Sequence, residues 1–263
     1  MKKTSLKCAG AIMLALTMSQ AALPVLADET KEYKSNGVVE FLPDDSPTDP
    51  VDPNDPDPEN PVNPWDPTTP DHEPQPGTKG PLSLDYASSI DFGQNKISTT
   101  DQTYYAEAQY LWNADHTEKD MDSARPNYVQ VTDKRGNNAG WSLSVKQEAQ
   151  LANEDTLNKE LTGSTISFTD GVADSVMVGV KAPATYDFTL TPGQSVNVMN
   201  AEENAGMGTW VDRFGTLETM DIDGKSVLKN TAITLDVPGK TPKDAVQYST
   251  ELTWVLADTP INA

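Results

Sequence analysis

The sequence predicts an all-β protein: a single β-sandwich or barrel-like domain after a signal peptide and a disordered linker rich in proline and aspartate. Three observations support this prediction. Apolar and polar residues alternate with a period of two over many short segments, as in half-buried strands. Turn-forming pairs such as Pro192-Gly193 and Pro238-Gly239 separate these segments. One segment alone has a helical pattern, Gln147 to Leu161, and its Asn and Asp residues weaken it.

Residues 1–27 have the pattern of a secretory signal peptide. Three lysines precede or begin an apolar run over residues 9–26, and the run ends at the small residue Ala27. We expect cleavage between Ala27 and Asp28, which leaves a secreted mature protein. Cys8 is the only cysteine and would leave with the signal. The mature domain is therefore expected to fold without a disulfide, and to lack cysteine-based zinc sites and thiol nucleophiles.

Residues 28–80 form the predicted lead and linker. Residues 43–80 contain 12 of the 20 prolines in the chain, together with many aspartates. Proline donates no backbone hydrogen bond and like charges repel, so this segment is predicted to be disordered and extended. Two interpretations stay open for it: a spacer or surface-exposed stalk, and an inert disordered segment. Just before it, Val38 to Leu42 alternates weakly and is a candidate edge strand.

Residues 81–263 carry the predicted domain, which is long enough to bury a sizeable core. Its clearest strand candidates share period-2 alternation and are residues 128–132, 140–145, 164–168, 175–180, 186–190, 231–237 and 248–256. About ten short strands separated by turns favour a sandwich or barrel. Tyr104 to Trp112 is the densest aromatic stretch. As a strand it would place alternate aromatic rings on one face, either packed in the protein or free to stack on sugars.

The charge balance excludes several partners. The chain has 19 basic and 40 acidic side chains, a net charge of −21, and loss of the signal lysines would make it more acidic. Nucleic-acid binding needs clustered cations that neutralise phosphates, so we expect no nucleic-acid partner. Direct ionic attraction to anionic lipids or teichoic acids is disfavoured for the same reason.

Catalytic and metal-binding motifs are missing from the sequence, so we expect neither an enzyme nor a cofactor. The two histidines, His72 and His116, lie in the linker and in a polar loop. No nucleophile elbow, phosphate-binding loop or zinc motif is present. Asp221 to Gly224 resembles the start of a calcium loop, but the later ligands of such a loop, including its closing glutamate, are missing. A plain turn is the expected structure there.

Two Trp-x-Leu motifs lie about 110 residues apart, at Trp141 and Leu143 and at Trp254 and Leu256. Residues i and i+2 of a strand share a face, so each motif places its tryptophan and leucine together. Two interpretations follow from this geometry. The shared face either packs in the domain core, which the polar opposite face favours, or forms an apolar stacking platform for a ligand.

These paired motifs resemble the WxL domain family of Gram-positive surface proteins. Other segments agree with the family pattern, namely Gly80 to Ser88, Phe92-Gly93, Gly208 to Trp210 and Pro238-Gly239. The resemblance implies non-covalent attachment to the cell wall through peptidoglycan, and residues 81–263 as the WxL domain. It also implies membership of a surface complex with membrane-anchored WxL-interacting proteins.

The C-terminal residues carry no covalent sorting signal, which agrees with attachment by binding. An alternative function is that of an adhesin, which would bind host matrix proteins or other surface proteins and attach to the wall only secondarily. Both interpretations place the protein at the cell surface.

Overall fold

Strand pairing organises the residues that the structure describes into four antiparallel sheets. The computed structural model describes residues 31–222 and 224–261, so the predicted signal peptide, with Cys8, Ala27 and Asp28, lies outside the described residues. The chain divides into two units, residues 1–40 and 41–263, and every strand of the described residues belongs to the second. The described residues contain no helix, which confirms the all-β prediction.

Sixteen strands make up the sheets, and they are β1 (Pro64–Trp65), β2 (Leu82–Ala87), β3 (Gln102–Glu107), β4 (Gln109–Trp112), β5 (Lys119–Arg125), β6 (Tyr128–Asp133), β7 (Trp141–Gln147), β8 (Thr165–Phe168), β9 (Gly171–Asp174), β10 (Ala184–Thr185), β11 (Phe188–Thr189), β12 (Ser195–Ala201), β13 (Gly208–Phe214), β14 (Leu217–Ile222), β15 (Lys225–Val237) and β16 (Leu252–Ala257). The sheet orders are β1-β4-β5, β10-β12-β7-β16, β2-β6-β13-β9, and β11-β8-β15-β14 with β3 also paired to β15.

One main core joins three of these sheets. It contains the inward side chains of β7, namely Trp141, Leu143 and Val145, together with Phe168 and Phe214. The alternation predicted for β7 is present residue by residue, with each odd-numbered side chain buried and each even-numbered one partly exposed. Burial of large apolar side chains is the main favourable contribution to folding, and here no disulfide is available to supplement it.

Strand β6 is buried on both faces. Val129 and Val131 point into the main core, while Tyr128 on the opposite face packs against Val51 and Val211 in a second, smaller cluster. Val51 comes from the proline-rich segment, so that segment covers a face of β6 that would otherwise lie in water.

The proline-rich segment differs here from its sequence-based prediction. Val51 is fully buried, and its N–H donates to Oε1 of Gln130 at 2.7 Å. Asp52 accepts hydrogen bonds from Nε of Arg125 at 2.8 Å. β1 pairs with β4. The segment follows the sheet surface because side chains of β5 and β6 supply the hydrogen bonds that proline cannot make within a ladder. The compact unit accordingly begins at Phe41, not at residue 81.

Four local predictions also differ from the structure. Gln147 to Leu161 is not a helix, because polar side chains bond the local backbone; Asn153, for example, accepts a hydrogen bond from the N–H of Asp155 at 3.0 Å. Residues 175–180 form bends, and the strand lies just before them in β9. Tyr104 to Trp112 is interrupted at Ala108, and its halves join different sheets. Val38 to Leu42 forms no strand.

Candidate functional site

The two Trp-x-Leu motifs lie side by side. β16 pairs antiparallel with β7, and the register places Trp254 opposite Val145 and Leu256 opposite Leu143. This register places apolar residues of one strand opposite apolar residues of the other. A shift of one residue would turn every inward side chain of β16 outward, so the register is strongly favoured. The sequence predicted the face of each motif but not that the two strands are neighbours.

Trp141 and Leu143 belong to the core. Both are fully buried, and β7 is flanked by β12 on one side and β16 on the other. The indole N–H of Trp141 donates to the carbonyl oxygen of Gly206 at 3.0 Å. Gly206 has a φ of +69°, and a Cβ there would come within 2.8 Å of the indole nitrogen. Glycine is therefore required for this close approach.

Trp254 and Leu256 occupy a different environment. Both are only partly buried, and they pack against the edge of the same core. Trp254 lines two clefts at once, one of about 890 Å³ and one of about 550 Å³. Leu256 lines the smaller cleft. Thr78 and Leu84 also line both clefts, so the two clefts adjoin beside β16 and together make up a groove along this strand.

The larger cleft combines an apolar lining with polar groups. Its apolar lining includes Leu84, Ile90 and Phe92, and aromatic rings come from Tyr104, Tyr248 and Trp254. Carboxylates and amides contribute the polar part, for example Asp91 and Asn95. The lining is about as polar as it is apolar, so a ligand there would meet both hydrogen-bonding groups and apolar surface.

A family model matches residues 28–260, and its description is "WxL domain surface cell wall-binding". The chain belongs to this family. No curated protein and no solved structure matches the chain. Membership places the protein at the cell surface and cell wall, and it identifies the domain as a binding domain. The match begins well before residue 81 and so includes the proline-rich segment that packs on β6.

Two of the charged groups that line the WxL domain groove have pKa values shifted by their surroundings. Arg135 lines the smaller cleft, and its guanidinium bonds Asp133 at 2.7 Å; hydrogen bonding to that carboxylate raises the pKa of Arg135. Asp85 borders the larger cleft, and burial raises the pKa of its carboxyl group. Hydrogen bonds from Ser83, Thr132 and Gln130 to Asp85 oppose that increase.

An aromatic cluster that the sequence did not reveal lies at β1 and β4. Trp65 stacks on His72 with ring centroids 4.0 Å apart, and Trp112 stacks on His116 at 4.2 Å. The two indoles meet at 4.3 Å, and Glu73 bonds His116 at 2.7 Å. Both histidines of the chain therefore connect the proline-rich segment to β4. The sequence did not reveal this cluster because its two halves are distant in the chain; Glu73 and His116, for example, are 43 residues apart.

Neither a metal-ligand cluster nor a membrane-spanning helix is present among the described residues. There, no group of three or more His, Cys, Asp or Glu side chains is arranged to hold a metal ion. In the same part of the chain, no helix has the length and apolarity to cross a membrane.

Proposed function

We propose that the WxL domain attaches the protein non-covalently to peptidoglycan through the groove beside Trp254, as a component of a surface protein complex. The observation that carries this proposal is the partly exposed indole of Trp254 between two clefts. An aromatic face next to polar side chains suits a sugar ring, whose C–H face stacks on the indole while its hydroxyls bond amides and carboxylates.

Charge supports a neutral target within the wall. The chain carries a net charge of −21, and anionic wall polymers repel such a domain. The glycan strand of peptidoglycan is the less charged choice, and binding to it depends on shape and hydrogen bonding. We further propose that membrane-anchored WxL-interacting proteins are partners, which the family resemblance implies.

The test is sedimentation of residues 28–263 with purified peptidoglycan from which teichoic acids have been removed. Retention in the pellet, saturable by added soluble glycan fragments, is the expected result. A parallel plate assay uses immobilised host matrix proteins. If the protein does not bind peptidoglycan but does bind host matrix proteins, the proposal is contradicted and the adhesin alternative is favoured.

A further inference from the structure

Strand β16, which carries the second Trp-x-Leu motif, is an open sheet edge. It is the last strand in the order β10-β12-β7-β16, and among the residues that the structure describes it pairs with β7 alone. An open edge displays backbone N–H and C=O groups that another strand can bond. Natural proteins usually protect such edges with charge, proline or a covering segment.

The hydrogen-bond pattern between β7 and β16 identifies the residues of β16 whose backbone N–H and C=O groups point away from β7. The N–H of Glu148 donates to the carbonyl oxygen of Glu251 at 2.9 Å, and these two residues are in register with the rest of the pair. Hydrogen-bonded and non-bonded pairs alternate along an antiparallel ladder. Thr253 and Val255 therefore direct their backbone groups toward β7. Leu252, Trp254 and Leu256 direct theirs away from it.

These outward groups lack hydrogen-bond partners among the described residues. Their positions follow the groove, because Leu252 and Trp254 line the larger cleft and Trp254 and Leu256 line the smaller one. The facing wall consists of residues such as Thr78 and Leu84. The groove therefore offers an added strand both backbone bonds and an apolar lining.

The same chain contains an unpaired segment suited to this groove. Val38, Val39, Phe41 and Leu42 are 98%, 77%, 87% and 79% exposed. The segment has no secondary structure, and its backbone makes no hydrogen bond with another described residue. Valine and phenylalanine favour strands, and so many large apolar side chains in succession are seldom left in water.

We propose that Val38 to Leu42 of one copy adds as a strand to the open edge of β16 in a second copy. Five residues in extended conformation span about 16 Å at about 3.3 Å per residue, which suits the six residues of β16. Donor and acceptor are different surfaces of one chain, so the contact is head-to-tail and extends into linear assemblies. It uses the backbone of β16 and needs no wall ligand, but the added strand and the peptidoglycan proposed above would compete for the same groove.

The first test measures the mass of residues 28–263 by sedimentation equilibrium across a concentration series, without wall material. The wild-type mass is expected to rise with concentration, and Phe41→Lys is expected to remain monomeric. Tyr33→Lys is the matched control, because Tyr33 is an aromatic residue 94% exposed outside the proposed strand; it should assemble like the wild type. A monomeric wild type at the highest soluble concentration, or an assembling Phe41→Lys variant, would overturn the proposal.

The second test separates strand addition from side-chain contact. Synthetic peptides of residues 36–44 carry backbone N-methyl groups either at Val39 and Phe41 or at Val38, Glu40 and Leu42. Only alternate residues of an added strand bond the edge, so one peptide should lose at least about tenfold in affinity for the Phe41→Lys protein and the other should not. Equal affinities would contradict strand addition. A third outcome is that the peptide binds the Phe41→Lys variant but not the wild type, and that the wild type is monomeric. The segment would then add to β16 of its own copy, which would overturn assembly between copies.

Discussion

Trp141 and Trp254 hold the same place in the same motif, but their surroundings assign them different roles. Trp141 lies on an inner strand and is fully buried, whereas Trp254 lies on the edge strand and lines the groove. Position in the sheet, and not the motif, decides which indole can meet a ligand. Strand order explains why Trp141 packs in the core and Trp254 stays partly exposed, a difference that alternation alone did not reveal.

Replacing Trp141 by alanine is expected to lower the free energy of unfolding by about 3–5 kcal/mol, because it leaves a large cavity and removes the bond to Gly206. Guanidinium unfolding of residues 28–263 measures this loss. Trp112→Ala serves as the control, since Trp112 belongs to the partly exposed aromatic cluster and should cost less. Equal losses for both variants would contradict the core assignment of Trp141.

Asp212 is a second residue whose surroundings set its chemistry. It lies fully buried on β13, next to Gly171 of β9. Burial raises the pKa of Asp212 from 3.8 to about 7, and nearby Asp187 acts in the same direction. The native state thus binds a proton more tightly than the unfolded chain. The stability that this proton contributes is complete below about pH 4 and is lost as pH rises to about 7.

Asp212→Asn is expected to make stability less dependent on pH between 4.5 and 8. Relative to the variant, the wild type should lose about 3 kcal/mol across that window, because its buried carboxyl group must ionise. Urea unfolding at several pH values measures the difference. Asp45→Asn, at an exposed position, is the control and should follow the wild type. Parallel pH profiles for wild type and Asp212→Asn would contradict the assignment.

At the scale of elements, the proline-rich segment is the clearest difference between sequence and structure. Its many prolines correctly predict that it forms no long strand. Composition cannot show, however, that the outer face of β6 needs an apolar segment to cover it. The buried outer face of β6 needs an apolar cover, and Val51 supplies it. Gln130 makes this possible by bonding the N–H of Val51 and the carbonyl oxygen of Asp49.

Replacing Gln130 by leucine is expected to release this segment from β6. The buried N–H of Val51 would lose its acceptor, a cost of about 1–3 kcal/mol, so its hydrogen exchange should accelerate about 10- to 100-fold. Exchange measured by NMR on residues 28–263 reports this change. Asn60→Ala is the control, because Asn60 bonds Asp57 within an exposed turn of the same segment. Unchanged exchange at Val51 would show that Gln130 does not hold the segment.

Alternation predicted β7 and most of β6, β8, β15 and β16, because each has a core-facing side whose period the sequence records. It failed for Gln147 to Leu161, where local side-chain bonds to the backbone replace both helix and strand. For the site, the motif residues and their shared face could be predicted from the sequence. It could not show that β16 is an edge, since pairing between distant strands is a property of the whole fold.

At the scale of the whole molecule, charge governs the approach to the wall. A net charge of −21 opposes contact with an anionic polymer, and protonation of carboxylates toward the pI of about 4.2 removes that opposition. In the proposed mode of attachment, short-range contacts in the groove must overcome this long-range repulsion.

Wall binding is expected to strengthen as pH falls from 7 to 4.5. Added salt at pH 7 should produce part of the same gain, since it screens repulsion between the domain and the wall. Pull-down on intact walls measures both effects, and walls stripped of teichoic acid are the control, with a smaller dependence expected. Binding that stays flat over this pH range would contradict the electrostatic account.

The central claim is that Trp254 contacts the wall while Trp141 maintains the fold. The most direct measurement is sedimentation of Trp254→Ala with teichoic-acid-free peptidoglycan, beside a thermal melt of the same protein. We predict a loss of affinity of at least about tenfold, equivalent to about 1.4 kcal/mol, with a cooperative melt retained. Trp112→Ala, which removes a partly exposed indole elsewhere, should bind like the wild type. Wild-type affinity in a folded Trp254→Ala protein would contradict the claim.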